Sequence, residues 1–353
     1  MWPRTDLLDL LGLDQPIIQA PMSGMATPEL AAAVSNAGAL GSLGTAALPA
    51  AGIREQVAAT RRATNRPFNL NFFAHPRPLR DTQAIAAMRA RLARYYDELE
   101  IGPVPEPAEP FPVFDRERLE LACELRPHVV SFHFGLPDAA SLRLLKEAGC
   151  ILLSSATTVA EARRLAAAGV DAIIAQGVEA GGHRGTFTET PGTGTVGTLA
   201  LVPQIVGAVR VPVIAAGGIA DGRGIAASFA LGASGVQIGT AFLACPEASV
   251  SPIHRAGLRA ASDESTEVTR AFTGRPARVL RNRFVAEMTA DEVTPPAFPL
   301  QASLTAPLWR TPSGEARADF LPMWAGQAAA LLREMPAADL VAKLVAEAQA
   351  ILD

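Results

Sequence analysis

Short apolar runs alternate along the first part of the chain with Ala-rich segments of helical period, and glycines punctuate the joins. The runs are PIIQAPM (16–22), ALGSLGT (39–45), PFNLNFF (67–73), HVVSFHF (128–134), CILLSSA (150–156), VDAIIAQG (170–177), VPVIAAGG (211–218) and SGVQIGTAF (234–242). Runs this rich in Val, Ile and Leu, separated by helices, predict parallel strands joined by crossovers. Two crossovers are well marked. TPELAAAVSNAG offers Thr27 as N-cap, Pro28 at the first helical position and Gly38 beyond the end, and TVAEARRLAAAG stops at Gly169. Eight such units predict an α/β fold, a (β/α)8 TIM barrel with a smaller, mostly helical second domain. An open doubly wound sheet is built from the same units.

Two stretches break the rhythm. Residues 76–127 hold a basic helical segment, DTQAIAAMRARLARYYDELE, and the proline-rich IGPVPEPAEPFPVF, which together predict an insertion over the rim of a barrel spanning 1–245. Residues 246–317 read as a small, mostly helical domain covering the substrate site. Residues 318–353 read as C-terminal helices packing back on the barrel, ending in the amphipathic PAADLVAKLVAEAQAILD.

Composition narrows the partners. The 353 residues are 49% hydrophobic and 19% charged, enough to bury a large core, and the net charge is -4. Lys and Arg are scattered rather than clustered, so no footprint for nucleic acid or an anionic membrane is present, and no run of 18 apolar residues marks a membrane span. Cys123, Cys150 and Cys245 are an odd number at wide spacing, which suits a reducing cytoplasm better than a disulfide framework. The expectation is a cytoplasmic monomer or homodimer acting on small molecules.

Barrel sites are assembled from the loops that follow the strands. After the seventh run comes AAGGIADGRG with Gly217 and Gly218, and after the eighth QIGTAF with Gln237, Gly239 and Thr240. Adjacent glycine turns that each feed a helix N-terminus predict a phosphate site. The third run carries Asn69 and Asn71, the sixth ends at Gln176, and the first ends with Ala20, Pro21 and Met22. Amides and apolar groups without a carboxylate suit a flat, polar-edged ring better than a metal ion. FMN satisfies both halves: its ring for the amides, its phosphate for the glycine corner.

QAPMSGMATPELAAAVSNAGALGSLG, NLNFF, SFHFG, EAGGHRGTF and VPVIAAGGIADGRGIAASFALGASGVQIGTAF, in that order, resemble the nitronate monooxygenase family, formerly 2-nitropropane dioxygenases, and its class I members in particular. The resemblance implies a TIM barrel with noncovalent FMN. It implies flavin contacts from Met22, Asn71, Gln176, Gly181, Gly217, Gly218, Gln237, Ile238, Gly239 and Thr240, no metal, and His183 as the active-site histidine. The substrates would be a nitronate, either a short alkyl nitronate or propionate 3-nitronate, and O2; the products would be a carbonyl compound and nitrite. The chain departs from the resemblance in having only Tyr95 and Tyr96, with Phe298 and Ala306 where polar groups are expected, which predicts a less polar pocket.

His183 sits among glycines in QGVEAGGHRGTF, a loop that reads as mobile, with few neighbours to pack the ring. A polar group there faces a ligand, either as a base toward a neutral nitroalkane or as an imidazolium holding an anionic nitronate. His133 lies on the same strand face as Ser131 and Val129, where a structural and a pocket-lining role are equally expected. GTGTVG (192–197) matches a dinucleotide fingerprint in form only, because it lies far beyond the sixth strand. The alternatives are an NAD(P)H-dependent flavin reductase (quinone or enoyl reductase) on the same barrel, a metal hydrolase using His75, His133 and His183, and a non-catalytic flavin module.

Overall fold

Each of the eight apolar runs contains a strand: β1 Ile17–Gln19, β2 Gly41–Gly44, β3 Phe68–Phe73, β4 Val129–His133, β5 Ile151–Ala156, β6 Ala172–Gln176, and, after the two-residue β7 Gly182–His183, β8 Val213–Ala216 and β9 Gly235–Ile238. This is a computed structural model, and it describes residues 1–188, 192–290, 293–310 and 318–353. The eight strands pair in parallel in the order β1-β9-β8-β6-β5-β4-β3-β2. A bridge between Ile18 and Leu40 joins the two ends, with Gln19 N donating to Leu40 O and Leu40 N to Ile17 O, both at 2.9 Å. The sheet therefore closes into the predicted barrel, and the open alternative is set aside.

Strand alternation divides the apolar residues between two cores. Phe68, Leu70, Phe72, Val130 and Phe132 pack outward on the surrounding helices. Ile18, Val129, Leu153, Ile174 and Ile214 fill the barrel, and Leu7 and Leu11 of the helix Asp6–Leu11 pack against them. Further along, the inward positions turn polar. Asn71 pairs in register with Ser131, and Phe73 with His133, while Gln176 and Gln237 both flank Ala216.

The insertion is tied to the segment after the barrel. Its helix Thr82–Glu98, capped by Asp81, buries Met88, Leu92, Tyr95 and Tyr96 in one cluster with Phe284, Leu304 and Phe320. Tyr96 Oη donates to Leu304 O at 2.6 Å. The post-barrel segment is mixed: helices Pro252–Arg259, Arg283–Thr289 and Leu300–Arg310 accompany an antiparallel hairpin, β10 Thr266–Thr269 and β11 Ala277–Leu280. β11 also pairs with β7, setting Ala277 opposite His183 and Arg278 opposite Gly182. Residues 311–317, the end of the expected second domain, lie outside the described residues. The helix Ala337–Leu352 lies against the helix Gly222–Ala230, so closely that a side chain at Gly222 would collide with Glu347.

Candidate active site

The strand C-termini open into a cavity of about 720 Å³ lying between the barrel and the residues that follow it. Met22, Asn71, Gln176, Gly181, His183, Gly217, Gly218, Gln237, Gly239 and Thr240 all line it. Ile238 does not. It is buried in the outer core between strands and helices, because it alternates with the inward-facing Gln237. Tyr95 and Tyr96 are buried away from the cavity, whereas Ala306 lines it and Phe298 packs on His183.

The loop carrying His183 is firmly held, contrary to the expectation of a mobile segment with few packing neighbours. β7 pairs with β11, and the imidazole lies among Phe73, Phe134, Phe298 and Trp324 at centroid distances of 6.1, 5.6, 5.4 and 5.3 Å. These neighbours come from distant parts of the chain, so the glycines on either side conceal them. The carbonyl of His183 accepts from Gln176 Nε2 at 3.0 Å and from His133 Nε2 at 3.1 Å. With His133 Nε2 protonated for that bond, its Nδ1 accepts from Ser155 Oγ at 2.5 Å. Gln176 Oε1 in turn accepts from Gly185 N at 2.8 Å. Gly185 must be glycine: a Cβ there would lie 2.7 Å from Ser155 Oγ and 2.8 Å from His133 Cε1. His133 is thus a clamp on the His183 backbone as well as a cavity-lining residue.

His183 meets Thr273 Oγ1 through Nε2 at 3.0 Å. The Thr273 hydroxyl donates to Arg275 O at 3.3 Å, so its lone pair receives the Nε2 proton and Nδ1 is left unprotonated. Burial, first, and the neighbouring His133, Arg275 and His75 push the His183 pKa down to about 3. The imidazole is therefore neutral near pH 7.

Around the glycine corner, the helix N-terminus after β8 is already occupied. Asp221 Oδ1 accepts from Arg223 N at 3.0 Å and Gly224 N at 3.2 Å, and Gly222 N donates to Glu347 Oε2 at 3.2 Å. That helix offers no free N–H to a phosphate, contrary to the expectation from its glycines. The turn itself remains side-chain-free, with Gly217 and Gly218 at φ +107° and +72°. Gly239 differs from both. Its φ is -112°, and a Cβ there would meet only ordinary contacts, Ala20 Cβ at 3.4 Å and Met22 Sδ at 3.8 Å. Nothing in the protein's own packing demands a glycine at this point, so the missing side chain leaves room in the cavity. Beside it, Gln237 Oε1 is buried without a hydrogen-bond partner.

GTGTVG precedes the helix Thr198–Val206, whose first N–H is also claimed: Glu179 accepts from Thr198 N and from Thr198 Oγ1, both at 2.9 Å. A carboxylate already holds the place a diphosphate would need. Among the described residues no group of three or more metal-ligating side chains converges. Thr273, Phe272, Trp309 and Trp324 were not singled out in the sequence, because no local spacing relates them to the barrel loops; Gly326 is legible only as a chain-breaker in PMWAGQ. A Cβ at Gly326 would lie 2.8 Å from Glu179 O.

Known proteins match nearly all of the chain. A family model described as nitronate monooxygenase matches residues 4–347. The nitronate monooxygenase of Paraburkholderia phytofirmans is 46% identical over 349 residues, covering 97% of this chain and 94% of its own, and that of Pseudomonas aeruginosa is 44% identical over 346 residues, covering 96% and 97%. Among solved structures, a nitroalkane oxidase from Streptomyces ansochromogenes superposes with a TM-score of 0.89 at 40% identity, covering 99% of this chain and all of that one. FabK from Thermotoga maritima superposes with a TM-score of 0.76 at 32% identity, covering 100% and 98%. The chain belongs to the nitronate monooxygenase family.

Proposed function

We propose that this protein binds FMN in the cavity and oxidises alkyl nitronates with O2 to a carbonyl compound and nitrite. Family membership implies a flavin-dependent oxidoreductase. The observation that carries the FMN assignment is the joint presence of Gly239, a glycine the protein's packing does not need, and Gln237, whose buried Oε1 lacks a partner in the same cavity wall. The residues fit the group. Gln237 and Asn71 line the cavity, and the backbone at Gly217, Gly218 and Gly239 would admit a phosphate there with no side chain of its own in the way. Glu179 claims the first N–H of the helix behind GTGTVG, so that motif gives no support to an NAD(P)H reductase.

When bound, the flavin supplies the acceptor for the nitronate's electrons and passes them to O2. The chain does the rest. Asn71 is oriented by donating to Ser131 Oγ at 2.9 Å, which fixes its amide in the cavity wall. His133 and Gln176 fix the His183 backbone, and Thr273 orients its ring, so the unprotonated Nδ1 is the atom that would take the carbon proton of a neutral nitroalkane and leave the nitronate. A neutral ring favours that role over the imidazolium role. The aromatic groups around it give that side of the ring an apolar wall. The three unpaired cysteines, with Cys150 and Cys245 pushed up by burial to about 11 and about 12, suit a reducing cytoplasm.

One anaerobic experiment tests the reading. Purified protein should be yellow and release FMN on denaturation, nitronate alone should bleach it, and air should then yield nitrite without NAD(P)H. Rapid bleaching by NADH with no response to nitronates would replace this function with a reductase.

A further inference from the structure

The proposed nitronate chemistry leaves the substituent on the nitronate carbon unspecified, and the wall around His183 addresses it. Phe73, Phe134, Phe298 and Trp324 touch the imidazole, Phe111 stacks on Phe298 at 5.4 Å with planes 9° apart, and Phe272 meets Trp324 at 5.9 Å. The six rings come from three places: the ends of β3 and β4, the rim insertion, and the segment after the barrel. Phe73, Phe111 and Trp324 are only half-buried and line the cavity, so they present apolar faces to it. An apolar substituent would cover those faces; a carboxylate would lose its water to them without a partner.

The described lining residues contain two permanently charged side chains. Glu179 is negative and engaged at Thr198. Arg310 is exposed at the end of its helix, its guanidinium 5.1 Å over the Trp309 ring, where solvent weakens any ion pair it forms. We propose that the pocket beside His183 selects nitronates carrying an aromatic or longer alkyl substituent and disfavours those carrying a carboxylate. This selectivity rests on the nitronate reading above.

The test compares kcat/KM of the native holoenzyme for preformed nitronates of phenylnitromethane, 1-nitrohexane, nitroethane and 3-nitropropionate. At about three- to fourfold per covered methylene, the hexyl compound should exceed the ethyl one by roughly tenfold or more, with the phenyl compound similar and propionate 3-nitronate lowest. Phe111→Ala should cost the phenyl and hexyl compounds more than the ethyl one. Propionate 3-nitronate as the best substrate would overturn the selectivity while leaving the nitronate function intact, and loss of that preference in Arg310→Ala would assign it to an Arg310–carboxylate pair. Failure of all four nitronates, with NADH turned over instead, would overturn the function and the selectivity together.

Discussion

His133 Nε2 donates to the carbonyl oxygen of His183 across 3.1 Å, and so joins the end of β4 to the loop after β6. Gln176 Nε2 shares the same oxygen, so two strands fix one peptide group and with it the imidazole of the same residue. His133→Leu should lower kcat about tenfold with little change in KM, because a small misplacement of a reacting group affects the barrier more than binding. His133→Gln, which retains a donor, should recover part of the loss. Steady-state kinetics beside circular dichroism would separate this from unfolding; an unchanged kcat in His133→Leu would leave the clamp without a catalytic consequence.

His183→Asn removes the basic nitrogen and keeps a hydrogen-bonding side chain. If Nδ1 takes the substrate proton, activity on neutral nitroalkanes should fall about 100-fold or more, and activity on preformed nitronates much less. Equal losses on both would transfer the role of His183 to anion binding.

Gly239 and Gly218 make an informative pair for the cofactor. Gly218→Asp would set a carboxylate in the glycine corner, but its φ of +72° and the 3.3 Å approach to Glu179 Cβ strain the backbone as well. Gly239→Val, at ordinary φ and with only ordinary contacts for its Cβ, should fold with a nearly native Tm and still weaken FMN binding tenfold or more. Fluorescence titration of the apoprotein would read this directly, and native affinity in Gly239→Val would place the flavin elsewhere.

Acid should destabilise the fold early. Burial holds His133 and His183 down to about 3 and His254 to about 4, whereas an unfolded chain protonates them near the ordinary value of about 6.5. Above that value both states are neutral. Below it the unfolded chain takes up protons that the folded one refuses, so stability falls with pH by up to about 1.4 kcal/mol per unit for each such histidine until the folded values are reached. Urea midpoints measured from pH 7 to pH 4.5 should therefore decline. A flat profile would mean that these rings are not held neutral.

The barrel was legible in the sequence because each strand announces itself locally. Eight apolar runs, the cap at Thr27 and the breaks at Gly38 and Gly169 depend only on neighbours along the chain, and the loops after the strands must then meet at one end. That is why the strand pattern alone brings Asn71, Gln176, His183 and the glycine turns to one end of the barrel. That Ile238 turns its side chain away from the cavity also follows from alternation that the sequence already contains. The surroundings of those residues depended on partners far away in sequence. Thr273 reaches His183 from 90 positions on, Glu179 claims the helix behind GTGTVG, and Asp221 takes the N–H groups that its neighbouring glycines seemed to offer. Hydrogen bonds and ring contacts are short-ranged, so which groups satisfy them is decided only when the chain closes on itself. The sequence alone determined which strand ends would share one cavity; the tertiary structure decided that its histidine is neutral, clamped and walled by aromatic rings.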